Sequence, residues 1–357
     1  MESKSDKMKI NKNPYIKIKN RKIGPDYPPV VIVELGINHK GSLEVAKKLV
    51  DAAARSGAEI IKHQTHVPED EMSLEAKKIV PRNANKNIYD LIRDCMLSKV
   101  EEKALKLYVE KKGIIYISTP FSRQASNNLF SINVPAFKIG SGECNNYPLI
   151  KHISKMKKPI ILSTGMNDVN SIKKSVKILL SNKIKFALLH CTNLYPTLPN
   201  QMRLNGIQEL KKRFPKAVIG YSDHSGNNLS SLTAVALGAC IIEKHFTIDS
   251  IKAGPDISSS INEKNLKNLI KDLYEIYISK KGGIKPIKAE KSTANFAFAS
   301  VVAIKDIEKG EKFSNKNLWV KRPGNGYFLA DKLESIYGRR CKCSVKKNTQ
   351  LKKKNVF

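Results

Sequence analysis

The chain has 357 residues, 41% hydrophobic and 27% charged, with a formal net charge of +32. That length can bury one large core plus a small extra domain, and the composition excludes a disordered chain. The longest apolar runs are strand-sized, which excludes a membrane-spanning helix and any membrane partner.

In chain order, residues 1–26 read as an N-terminal extension: Met1 to Lys22 is basic and polar and lacks the apolar block of a signal peptide. The six cysteines, Cys95, Cys144, Cys191, Cys240, Cys341 and Cys343, form no C-x-x-C pair, so neither a zinc ribbon nor a thioredoxin motif is expected. Cys191 and Cys240 sit in apolar runs as core thiols, and the expected location is the reducing cytoplasm.

Residues 27–281 carry a repeated unit, a short apolar run rich in β-branched residues followed by a helical stretch. The eight runs are Val30–Asn38, Glu59–His66, Ile114–Phe121, Ala136–Ser141, Pro159–Met166, Phe186–Asn193, Ala217–Ser225 and Cys240–Thr247. Strands alternating with helices imply parallel βαβ units, and this number over this length predicts a closed (β/α)8 TIM barrel of the α/β class. Helices are expected at Ser42–Ser56 (ended by Gly57), Ser171–Ser181, Asn205–Phe214, Asn228–Leu237 and Asn262–Ser279. The stretch Val67–Lys112 is long enough for a loop over the site and two helices.

Residues 282–293 read as a linker, beginning at Gly282–Gly283 and containing Pro286. Residues 294–357 then change texture. Ser300–Ile304 and Leu318–Val320 are strand-like and flank a Gly-containing turn at Glu308–Glu311, which predicts a small, mainly β module.

Every barrel run ends in polar groups. Such residues converging on the C-terminal mouth of a barrel mark a catalytic site. His224 and His245 close the seventh and eighth runs. Neighbouring strands are close enough for these imidazoles either to share a divalent ion, Mn²⁺ or Mg²⁺, or simply to hydrogen-bond. Lys62 and Lys138, with Thr119, Ser141, Ser163, Asn193 and Ser222, make a cradle for a phosphate or carboxylate. The same lysines are compatible with a Schiff-base aldolase, or with structural pairing to Glu34 or Glu243. Glu34, at the end of the first run, suits a general acid or base, or a carboxylate that balances a lysine. The lysines are spread along the chain, with Lys352–Lys354 the one basic block. The charge therefore reads as solvated surface and not as a specific nucleic-acid site, although a nucleic-acid-binding protein is kept as the rival from another class.

The segments VELGINHKGS, KHQTHVPEDEMS, YISTPFSR, FKIGSGECNNYPLI, ILSTGMN, LLHCTNLYPT, GYSDHSG, EKHFT and GPDISSS resemble the N-acetylneuraminate (sialic acid) synthase family. FAFASVVAIKDIEKGE and NLWVKRPGNG are similar to that family's antifreeze-like (β-clip) domain. The resemblance runs from about Tyr27 to the end. It implies condensation of phosphoenolpyruvate with N-acetylmannosamine and water, with C–O cleavage and metal assistance, or the same chemistry on a diacetamido sugar giving legionaminic or pseudaminic acid. It implies that His224 and His245 bind the metal, and that Lys62, Thr119, Lys138, Ser141, Ser163, Asn193 and Ser222 surround phosphoenolpyruvate. It places Gln64, Asn83, Tyr195 and Asp256 around the sugar and makes Glu34 the acid–base carboxylate. Phe296 and Arg322 match residues that reach the sugar site of the other subunit in a domain-swapped homodimer. Lys40, Leu198–Gln201 and Ile251–Ala253 depart from the family pattern, which bears on the choice of sugar.

Overall fold

The computed structural model describes residues 13–81 and 84–357, and the chain divides after Lys281 into two compact units. The first begins with an antiparallel hairpin of β1 (Ile16–Ile18) and β2 (Arg21–Ile23). Eight parallel strands follow: β3 (Val30–Glu34), β4 (Ile60–Thr65), β5 (Ile115–Pro120), β6 (Phe137–Ile139), β7 (Ile160–Ser163), β8 (Phe186–Cys191), β9 (Val218–Asp223) and β10 (Ile241–His245). Each pairs with the next, and β10 closes on β3, so the expected (β/α)8 barrel is the observed fold.

Period-two alternation along the strands makes two separate cores. Val31, Val33, Ile61, Tyr116, Ile139 and Leu162 face outward and pack with helix residues such as Leu49, Leu105, Leu129, Ile150 and Leu269. Val30, Ile32, Ile60, Ile117, Ile161, Leu189, Val218 and Ile241 face inward and cluster with Ile16, Ile18 and Ile23. The alternating segment Ile16–Ile23, set apart in the sequence as extension, thus plugs the end of the barrel where the strands begin. One or two inward positions further along each strand, the apolar filling gives way to polar groups.

The five helices expected between strands occur at Leu43–Arg55, Val169–Ser181, Asn205–Arg213, Leu229–Ala236 and Glu263–Ser279. The first starts where the Ser42 hydroxyl accepts from the Val45 N–H, at 3.3 Å, and stops before Gly57, whose φ of +88° is a left-handed C-terminal signal. Two short helices not read from the pattern, Arg123–Ser131 and Tyr147–Ser154, complete the units after β5 and β6. The stretch after β4 contains Pro68–Glu71, a 3₁₀ turn at Leu74–Lys78, and helices Ile88–Cys95 and Lys99–Lys111. The last is started by a reciprocal capping box between Ser98 and Glu101.

The second unit pairs β11 (Ser300–Ala303) with β12 (Leu318–Lys321) in an antiparallel sheet. Val301, Ala303, Ile307, Phe313, Leu318 and Leu351 form its own core. The segment read as a linker leads into a short helix, Lys291–Ala297. Among the described residues, no helix is long and apolar enough to cross a membrane.

Candidate active site

Strand register brings the polar strand ends together. His245 lies beside Glu34, Glu34 beside Lys62, Gln64 beside Thr119, and Ser222 beside both Glu243 and Cys191. All of these inward side chains meet at the C-terminal mouth. There a cavity of about 170 Å³ is lined by Glu34, Lys62, Gln64, Thr119, Lys138, Ser141, Ser163, Asn193, Tyr195, Ser222, His224 and His245. An adjoining cavity of about 260 Å³ shares Gln64, Phe121, Tyr195 and His245, and adds His66, Glu71 and Asp256. Of the other sequence-derived residues, Asn83 lies outside the described residues. Phe296, on helix Lys291–Ala297, and Arg322, just after β12, are exposed residues of the second unit.

Two buried lysines and two buried carboxylates organise the inner cavity. The Lys62 ammonium contacts Glu34 and lies 3.0 Å from Glu243, which is also 3.4 Å from Lys138. The Ser222 hydroxyl donates to Glu243 at 2.8 Å, and the Gly36 N–H donates to Glu34 at 2.6 Å. Burial pulls the Lys62 ammonium down to about 8, against the attraction of Glu243. Burial also opposes ionisation of Glu243, yet Lys138 and Lys62 hold its carboxyl far below the usual range. Breaking such a pair strands a buried charge, so these four groups stand or fall together.

Hydroxyls complete the cradle. Thr119 Oγ1 and Ser163 Oγ are buried in the wall without a hydrogen-bond partner. Buried polar atoms are normally satisfied, so a ligand oxygen is the natural partner for these two. Ser141 Oγ accepts from the Gly165 N–H at 3.1 Å, and Asn167 Nδ2 donates to the Ser141 carbonyl at 2.9 Å, fixing the turn after β6. A Cβ at position 165 would lie 1.9 Å from Asn193 Oδ1, so a larger residue there would displace the Asn193 side chain.

The two imidazoles meet edge to face with ring centroids 5.5 Å apart, and Tyr195 stacks on His224 at 4.2 Å. His224 Nδ1 lies 2.9 Å from the Thr192 carbonyl, which can only accept, so Nδ1 carries the hydrogen and Nε2 keeps its lone pair. His245 Nδ1 is buried without a hydrogen bond, 3.5 Å from Asp256 Oδ2. Among the described residues, no group of three or more His, Cys, Asp or Glu converges for a metal. Two neighbouring imidazoles with room for oxygen ligands nevertheless fit a divalent ion that keeps open positions.

Sequence reasoning missed parts of this arrangement. Glu243 is a possible lysine partner from its place in the sequence, but nothing there indicates that it touches both lysines. Glu143, two residues beyond Ser141, also lines the cavity. Behind the wall, His63 bridges His39 (3.1 Å between Nε2 atoms) and Glu102 (3.2 Å), tying the loop after β3 to helix Lys99–Lys111. His63 occupies the outward phase of β4, between inward Lys62 and Gln64, and that phase was the available signal.

Comparison with known proteins agrees with this architecture. Residues 49–285 match the NeuB family, and residues 298–356 match the SAF domain. The chain is 41% identical over 319 residues to N,N'-diacetyllegionaminic acid synthase of Campylobacter jejuni subsp. jejuni, covering 87% of this chain and 95% of that one. It is 33% identical over 348 residues to the protein of the same name from Legionella pneumophila, covering 93% and 97%. A crystal structure of N-acetylneuraminic acid (sialic acid) synthetase from Leptospira borgpetersenii superposes with a TM-score of 0.72 at 34% identity, over 79% of this chain and 95% of that one. With the barrel match spanning most of the chain and these relatives aligned almost end to end, the chain is an enzyme that belongs to the NeuB family.

Proposed function

We propose that the chain condenses phosphoenolpyruvate with an acetamido sugar and water, releasing phosphate and a nonulosonic acid. The observation that carries this reading is the cradle of buried Lys62 and Lys138 beside the unpartnered hydroxyls of Thr119 and Ser163. A phosphorylated carboxylic acid brings the acceptor oxygens that these groups lack. Ser141, Asn193 and Ser222 extend the same wall. The lysines hold the anion in place and offset its charge while its C3 attacks the sugar aldehyde. Glu34, fixed by Lys62 and the Gly36 N–H, is the acceptor for the proton of the water that adds at C2.

His224 and His245 are the residues that would hold Mn²⁺ or Mg²⁺, which supplies Lewis-acid polarisation of an aldehyde oxygen. Gln64, Tyr195 and Asp256 line the outer cavity, where the sugar would bind. In a domain-swapped homodimer, Phe296 and Arg322 of a second copy would cover that sugar.

For the acceptor, the two relatives named for N,N'-diacetyllegionaminic acid favour a diacetamido sugar. N-acetylmannosamine, giving N-acetylneuraminate, is the second reading, favoured by the Leptospira synthetase. The test offers phosphoenolpyruvate with a panel of acetamido and diacetamido sugars, to chelator-treated and to Mn²⁺-loaded enzyme, in ¹⁸O-water. We expect phosphate release and a condensed product with metal present, with label in the sugar acid and none in free phosphate. No phosphate with any sugar, or a borohydride-trapped adduct on Lys62 or Lys138, would overturn the reading.

A further inference from the structure

Among the described residues, the inner cavity has three carboxyl groups in its wall, Glu34, Glu143 and Glu243, and their surroundings differ. Glu34 contacts the Lys62 ammonium and accepts from the Gly36 N–H at 2.6 Å. Glu243 has ammonium groups at 3.0 and 3.4 Å and accepts from the Ser222 hydroxyl at 2.8 Å. Both are held as acceptors. Among the described residues, Glu143 has no ion pair, and its Oε2 is buried with no hydrogen-bond partner.

The backbone fixes where Glu143 sits. Its N–H donates to the Gly140 carbonyl at 3.2 Å, and its own carbonyl accepts from the Asn146 N–H at 3.0 Å. It therefore shares one turn with Ser141, in the part of the wall that also carries Lys138. Its Oε2 lies over Gly140, only 3.0 Å from where a Cβ would stand. The charged groups that face it are Glu71, from helix Pro68–Glu71, and Lys138, from β6. Burial, then the negative charge of Glu71, push the Glu143 carboxyl up to about 7, against the weaker pulls of its own backbone N–H and of Lys138. Carboxyls in one site whose environments drive their proton affinities apart take different roles, one as acceptor and the other as donor.

We propose that Glu143 is the proton donor of this site, giving its carboxyl proton to the phosphate as it leaves. The inference rests on the phosphoenolpyruvate reading given above. At that point C2 carries the hydroxyl derived from water and the phosphate ester. The bond from C2 to the ester oxygen breaks, its electron pair stays on that oxygen, and the oxygen takes the Glu143 proton. The C2 hydroxyl releases its proton to solvent as its O–H electron pair becomes the new C=O bond. Solvent then reprotonates Glu143, so no other reactant is needed. An ionised Glu143 would repel the anionic substrate, so binding favours the protonated form.

The test uses the full-length, metal-loaded enzyme and its Glu143→Gln variant, which keeps the size and hydrogen-bonding capacity of the side chain but has no proton to transfer. We expect kcat to fall about 100-fold with the KM for phosphoenolpyruvate held within about threefold. In wild type, kcat should decline as pH rises above about 7, and the variant should lack that limb. A variant that keeps about half of wild-type kcat, or the same alkaline limb, overturns the assignment. If the variant does not melt cooperatively, the wild-type profile decides alone, since a kcat that shows no decline between about pH 7 and 9 is incompatible with this donor. A wild-type enzyme that releases no phosphate with any acetamido sugar overturns the site reading itself. An active wild type with an equally active variant overturns only the role of Glu143.

Discussion

Glu243→Gln is the sharpest test of the electrostatics. In the native site, two ammonium groups are balanced by two carboxylates, with Glu243 at 3.0 Å from Lys62 and 3.4 Å from Lys138. The amide keeps the shape but leaves one net positive charge where Lys62 and Lys138 are 4% and 2% exposed. Stranding a buried charge in this way costs about 3–5 kcal/mol. Part of that cost is relieved if Lys62 gives up its proton, which already comes off at about 8 in the native protein. The sign follows from the protons bound: a lysine held below its ordinary value in the fold binds fewer protons than the unfolded chain between the two values. Stability therefore rises with pH across that interval, and the cost is fully present below it. Without Glu243, the interval starts lower. Urea denaturation followed by a probe in the barrel should show a loss of about 3–5 kcal/mol near pH 6.5 that shrinks toward pH 9. Phosphoenolpyruvate supplies the missing negative charge, so it should raise the melting temperature of the variant more than that of wild type. A loss under about 1 kcal/mol that does not change with pH would refute the reasoning.

Two further perturbations probe the same site. In the Glu143→Gln background, which removes the other group that titrates near neutrality, calorimetric affinity for phosphoenolpyruvate should fall above about pH 8 as Lys62 loses its charge, up to about tenfold per pH unit. An affinity that stays flat well above that pH would show that Lys62 does not carry the binding charge. Gly36→Ala should cost about 1–2 kcal/mol and lower kcat about tenfold or more, because φ is +54° there. The new Cβ would also lie 2.7 Å from Asp256 Oδ2 and 3.2 Å from His245 Nδ1. A variant with native stability and turnover would mean that the loop after β3 yields without moving His245.

Features that depend on local pattern are legible before folding. Runs of β-branched residues alternating with amphipathic stretches specify parallel βαβ units, and their number specifies a closed barrel, because the helices must cover the outside of the sheet. Polar residues at alternate positions near each run's end place a site at the mouth, since inward side chains recur every second residue. Lys62, Lys138, His224 and His245 were legible in that way.

Tertiary structure decided what depends on which atoms meet. Ser222 and Glu243 lie on neighbouring strands, but only closure of the barrel brings Glu243 within reach of both Lys62 and Lys138 and leaves Glu143 without an ion pair among the described residues. The same closure turns Ile16, Ile18 and Ile23 from an apparent tail into the plug of the lumen, because isoleucines set among polar residues show that a face is buried without showing what buries it. The His63–Glu102 pair had no local signature either, since its partners are 39 residues apart and meet only when helix Lys99–Lys111 packs against the barrel. Pattern fixes direction along the chain, whereas charge balance follows from neighbours distant in sequence, and in this barrel those neighbours give Glu34, Glu143 and Glu243 different surroundings.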